Sequence, residues 1–122
     1  MERLFFALGC GSAFIAVGLG AFAAHGLKTR LAPDMLAVFE TGVRYEMYHA
    51  FGLIAVAWAA TRWPGPWVGA AGWLFVAGTL LFSGSLYALS LGGVRWLGAI
   101  TPFGGLAFLA GWLCLTLAAV KS

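Results

Sequence analysis

The sequence predicts an all-α integral membrane protein, a four-helix bundle with both termini on the same side. Three observations carry this. Hydrophobic residues make up 62% of the 122 positions and charged residues 9%, against roughly 45–50% and 25% in ordinary soluble domains. Long charge-free runs recur along the chain. The breaks between them hold Pro, Gly, Trp and basic residues, the composition of turns at a membrane interface. Four crossings return the chain to the side on which it began.

The same numbers exclude other classes. A small globule has much surface, and 11 charged side chains are too few to keep it soluble. The formal charge of +3 suggests no nucleic-acid partner. Arg3, Lys28, Arg30, Arg44, Arg62, Arg95 and Lys121 are scattered among apolar runs and form no patch with interleaved aromatics. Residues 1–122 are read as one transmembrane domain with helices at about 4–25, 34–61, 67–91 and 97–120.

The first helix is carried by Leu4 to Leu27, 24 positions without a formal charge, where a span needs about 20. Ala21-Phe22-Ala23 resembles a signal-peptidase site, but the remaining chain is as hydrophobic as this start, so a retained helix is expected. Ala7-Leu8-Gly9-Cys10 is a weak lipoprotein-like match, with too few apolar residues before it. Ser12, Ala16, Gly20 and Ala24 form a small-residue stripe at four-residue spacing. Such a stripe admits another backbone closely, from this chain or a second copy.

Gly26 is read as the stop of the first helix and Pro33-Asp34 as the start of the second. Met35, Leu36, Phe39, Val43 and Met47 recur at helical spacing. At 100° per residue, Glu40, Thr41, Arg44, Tyr45, Tyr48 and His49 occupy the opposite half, and Glu46 stands apart from that arc. Only 15 charge-free residues, Met47 to Thr61, separate Glu46 from Arg62. Either the crossing starts near Val43, with Arg44 and Glu46 at interfacial depth, or polar contacts are made inside the protein. Trp63-Pro64-Gly65-Pro66-Trp67 makes the next turn, with tryptophans suited to the interface.

Val68 to Val94 carries the third helix, with Ser83, Gly84, Ser85, Tyr87 and Ser90 in its later part. Serine hydroxyls bond their own helix carbonyls or a neighbour. After Gly92-Gly93, the fourth helix contains Thr101-Pro102, a kink or a first turn, and one small pair, Ala107 and Gly111. Basic residues divide almost evenly between the two sides, so the positive-inside rule sets no orientation. Cys10 and Cys114 lie in apolar runs without metal-ligand spacing and read as small packing residues.

The chemistry-bearing residues concentrate at Glu40–His49. Glu40 and Arg44 stand at i,i+4 in the favoured order for an ion pair. Glu46-Met47-Tyr48-His49 is a single Glu-x-x-His, where helical di-iron sites use two with further glutamates. His25 is the only other imidazole. A proton relay through Tyr45, Tyr48 and His49 lacks a deep carboxylate in the other helices. Ser83 and Ser85 sit in no GxSxG elbow, and no P-loop or Rossmann fingerprint occurs.

Four motifs in order carry a resemblance: Gly20-Ala21-Phe22-Ala23-Ala24-His25-Gly26-Leu27; Phe39-Glu40-Thr41-Gly42-Val43-Arg44-Tyr45 with Tyr48-His49-Ala50; Leu81-Phe82-Ser83-Gly84-Ser85-Leu86-Tyr87; and Ile100-Thr101-Pro102-Phe103-Gly104-Gly105 with Gly111-Trp112. Over nearly its whole length the chain resembles the domain of unknown function 423 family, which includes transmembrane protein 256. The resemblance implies a multi-pass membrane protein, in bacteria of the plasma membrane, and brings no activity, cofactor or catalytic residue with it. It also implies an uncharged polar residue more often at position 46. A mechanism that turns on Glu46 is therefore less attractive for the family as a whole.

The resulting expectation is a non-enzymatic membrane protein that binds lipid, a small ligand or a partner protein at a polar interfacial pocket. The pocket would be built from His25, Glu40, Thr41, Arg44, Tyr45, Tyr48, His49, Ser83, Ser85 and Tyr87. Membrane lipid and a second copy are the expected partners, with no cofactor or metal. The alternative is a small transporter or channel component, proton-coupled in one version.

Overall fold

The computed structural model describes residues 1–121, and in that range it is built from helices without strands. Helix α1 runs Glu2–His25, and α2 runs Pro33–Arg62. Helix α3 is the rod Pro66–Gly92, which contains a π-helical segment at Thr79–Ser83. A 3-10 turn at Arg95–Ala99 leads into α4, Thr101–Val120. The element starts follow local chemistry. Pro33 and Pro66 open their helices, where a missing N–H loses nothing. Gly93 closes α3 in the left-handed conformation, φ 67°, that favours glycine. Thr101-Pro102 forms the first turn of α4.

Three segments, Glu2–His25, Pro66–Gly92 and Arg95–Val120, are long and apolar enough to cross a membrane. Helix α2 is more polar, because Asp34, Glu40, Arg44 and Glu46 precede its apolar half. It nevertheless lies antiparallel along the length of α1. Gly9 faces Ala50 and Ile54, Gly20 faces Val43, and Ala23 and Leu27 pack with Phe39. Helix α2 thus spans whatever thickness α1 spans, and it touches all three other helices. Met1 and Lys121 both meet the α2–α3 turn: Met1 shares a small cavity with Pro64 and Gly65, and Lys121 shares the adjoining one.

The core is built from rings seated on glycines. Phe5 covers Gly72, Phe108 covers Gly78, Phe75 covers Gly111, and Tyr87 covers Gly42. A Cβ added at any of these four glycines would lie 2.4–2.8 Å from a ring atom. This close approach raises dispersion contact, which drives helix association where lipid already satisfies apolar faces. The large outward-facing side chains, such as Phe14, Trp96 and Leu109, are exposed, as lipid-facing residues are.

Candidate functional site: two recesses beside helix α2

The polar stretch of α2 does not form one face. It divides between the protein surface and two recesses. Glu40 and Arg44 are exposed. Arg44 Nη2 donates to Thr41 Oγ1 at 3.3 Å, and Thr41 Oγ1 donates to the Ala37 carbonyl. Among the described residues, no basic side chain lies within ion-pair distance of Glu40, so the expected i,i+4 pair is replaced by the Arg44–Thr41 contact. His25 is exposed at the end of α1 and lies on neither recess.

The first recess lies between α2 and α4. Its walls are Tyr45, Tyr48, His49, Phe82, Phe108 and Trp112, and its volume is about 390 Å³. His49 is 4% exposed. Its ring stacks on Phe108 at 3.5 Å and 6°, with Phe75 edge-on. Trp112 Nε1, a donor only, bonds His49 Nε2 at 3.0 Å. Nε2 must therefore accept. The proton sits on Nδ1, which donates to the Tyr45 carbonyl at 2.7 Å. His49 is a neutral imidazole with both nitrogens engaged, the condition of a buried polar group that is fully satisfied. Tyr45 and Tyr48 stand at the rim, and neither hydroxyl has a partner among the described residues.

The second recess lies between α1 and α3 and encloses about 320 Å³. Its apolar walls include Ala7, Leu8, Ile15, Leu53, Val76 and Leu80, and its polar members are Ser12, Glu46 and Thr79. Glu46 is 5% exposed. Tyr87 Oη donates to its Oε1 at 2.7 Å, and Ser12 Oγ donates to its Oε2 at 3.0 Å. Glu46 lies 13 residues from Pro33 and 16 from Arg62, and its partner Ser12 is equally central in α1. The carboxylate and His49 are thus at mid-height of the bundle, whereas the sequence reading favoured a pocket at one interface and left Glu46 outside it.

The serines of α3 serve helix packing. Ser83 Oγ donates to the Gly42 carbonyl at 2.7 Å, and Ser85 Oγ bonds Thr101 Oγ1 at 2.6 Å. Of the expected pocket residues, the structure brings Tyr45, Tyr48 and His49 together on the first recess. It brings Tyr87 to Glu46 beside the second. Of the α1 stripe, Ser12, Ala16 and Gly20 turn toward α2, while Ala24 is exposed. Gly111 receives the Phe75 ring, and Ala107 is half-buried.

Glu46 is the residue sequence reasoning set aside. A signal for it existed: Phe39, Gly42, Glu46, His49, Leu53 and Val56 follow the three- and four-residue spacing of one buried row. Thr79, Phe108 and Trp112 had no such signal, because only the tertiary fold brings them to α1 and α2.

Fold and site together define a multi-pass, all-helical membrane protein with a carboxylate and an imidazole buried at mid-height. Residues 19–105 match the family described as protein of unknown function (DUF423), and the chain belongs to that family. It is 52% identical over 120 residues to the UPF0382 membrane protein YwdK of Bacillus subtilis (strain 168), covering 98% of each chain. It is 47% identical over 121 residues to the UPF0382 membrane protein SH2409 of Staphylococcus haemolyticus (strain JCSC1435), covering 98% of this chain and 97% of that one. No solved structure matches.

Proposed function

We propose that the protein is a non-catalytic binding protein of the cell membrane that takes a lipid or a comparably small ligand in the α2–α4 recess. One observation carries this reading. An aromatic recess of about 390 Å³ at mid-height is rimmed by two tyrosine hydroxyls that have no partner among the described residues. Ligand sites combine apolar walls with a few polar groups that fix orientation, and the Tyr45 and Tyr48 hydroxyls supply those groups. The chemistry of His49 supports a binding role. Its lone pair is taken by Trp112 and its proton by the Tyr45 carbonyl, so it is not poised as a base.

The test is lipid retention. Wild-type protein, extracted in mild detergent and examined by native mass spectrometry, is expected to carry one bound lipid. Gly105→Trp places a bulky ring in the recess and should abolish that adduct while the protein keeps its helical circular dichroism. An equal adduct in the folded variant contradicts this reading.

A further inference from the structure

We infer that the α1–α3 recess is a second site, selective for a lipophilic primary amine in its ammonium form. This site is independent of the α2–α4 recess, which lies across α2. The inference starts from what Glu46 lacks. Both of its oxygens accept hydrogen bonds from hydroxyls, yet among the described residues no Lys, Arg or His lies within ion-pair distance. A buried carboxylate without a countercharge is costly, and ionisable groups inside membrane segments mark ligand or ion sites.

A second observation points into the same recess. Thr79 Oγ1 is the one buried side-chain polar atom without a hydrogen-bond partner among the described residues. Thr79 lines the recess with Glu46 and Ser12 and occupies the first position of the π-helical segment. Single-turn π segments frequently accompany functional sites. Here the segment is seated directly on α4. A Cβ at Gly104 would lie 2.4 Å from the Phe82 backbone nitrogen, so this length of backbone is fixed by contact.

The ligand class follows from the donor count. The recess is lined by three acceptor-bearing side chains: the Glu46 carboxylate, the Ser12 hydroxyl and the unpartnered Thr79 hydroxyl. A primary ammonium carries three N–H donors and a positive charge, so it satisfies the oxygens and the missing countercharge together. The remaining walls are apolar, and Leu8, Ile15 and Leu80 are exposed on the outer face of the helices. They suit an alkyl chain entering sideways from the bilayer. A neutral alcohol of the same chain length fits the walls but leaves Glu46 without a cation.

The experiment measures saturable binding of radiolabelled dodecylamine at pH 7 to the full chain in phosphatidylcholine nanodiscs, against empty nanodiscs. Unlabelled dodecylamine and dodecanol serve as competitors. The expected result is one protein-dependent site that dodecylamine displaces at least tenfold more effectively than dodecanol. Glu46→Gln keeps an acceptor for Tyr87 and should weaken binding at least tenfold, and Thr79→Val about threefold. Ile15→Trp fills the recess from its outer face without touching the polar network and should block binding. Each variant is compared only if its size-exclusion profile and circular dichroism match wild type, and Ile15→Trp keeps the test open if Glu46→Gln fails to fold. Absence of a saturable site, equal competition by dodecanol, or unchanged binding in folded Glu46→Gln or Ile15→Trp would overturn the inference.

Discussion

His49 shows how much a single residue's meaning depends on its neighbours. On the sequence it is a candidate ligand, relay or base. In the structure the donor-only indole of Trp112 fixes it as the Nδ1–H tautomer. Nitrogen-15 NMR of the imidazole in bilayers should therefore show a protonated Nδ1 and an unprotonated Nε2. Trp112→Phe removes the Nε2 donor and should allow both tautomers, at a stability loss of about 1 kcal/mol. A wild-type spectrum already showing a tautomer mixture would contradict the assignment. Glu46 teaches the complementary lesson. Helical angles separated it correctly from Glu40, Arg44 and Tyr48, but angles around one helix do not say which side is the interior. That depends on α1 and α3, whose Ser12 and Tyr87 lie 34 and 41 residues away in the chain.

At the scale of elements, the charge-free runs and the proline and glycine breaks were legible because each is a local signal. The internal break in α3 was not. Thr79–Ser83 is as apolar as its surroundings, and the π segment shows itself only through its seat on Gly104 of α4. Two alanine substitutions separate contact from propensity. Gly104→Ala places a methyl against the Phe82 backbone and should destabilise by about 1–3 kcal/mol. Gly84→Ala meets nothing within 4 Å and should be neutral, or stabilising by roughly 0.5–1 kcal/mol through lower chain entropy. Thermal unfolding in detergent reads both, and equal effects at the two positions would contradict the packing described.

For the whole molecule, composition was enough to establish a helical membrane protein, because too few charges are present for any soluble alternative. Composition could not say which helix is central. Helix α2 is the least apolar of the four and yet contacts all the others. Two of its polar groups, Glu46 and His49, are satisfied inside the bundle by Ser12, Tyr87 and Trp112. The arrangement also fixes sidedness without fixing orientation. With Cys10 and Cys114 replaced by serine, cysteines introduced at Glu2 and Lys121 should react with an impermeant maleimide from one side of sealed vesicles. Cysteines at Lys28 and Arg95 should react from the other. Labelling of Glu2→Cys and Lys121→Cys from opposite sides would contradict an even number of crossings.

The central claim is that Glu46 and His49 of the polar stretch of α2 are held inside the bundle, with Glu46 bonded across helices at mid-height. The most direct test is a carbon-13 correlation between the Glu46 carboxyl and the Tyr87 ring carbon bearing the hydroxyl, recorded by solid-state NMR in bilayers. The 2.7 Å hydrogen bond predicts a strong cross-peak that a water-soluble relaxation agent leaves undiminished. A missing cross-peak, or a Glu46 carboxyl signal bleached by that agent, would place the carboxylate at the surface and contradict the account.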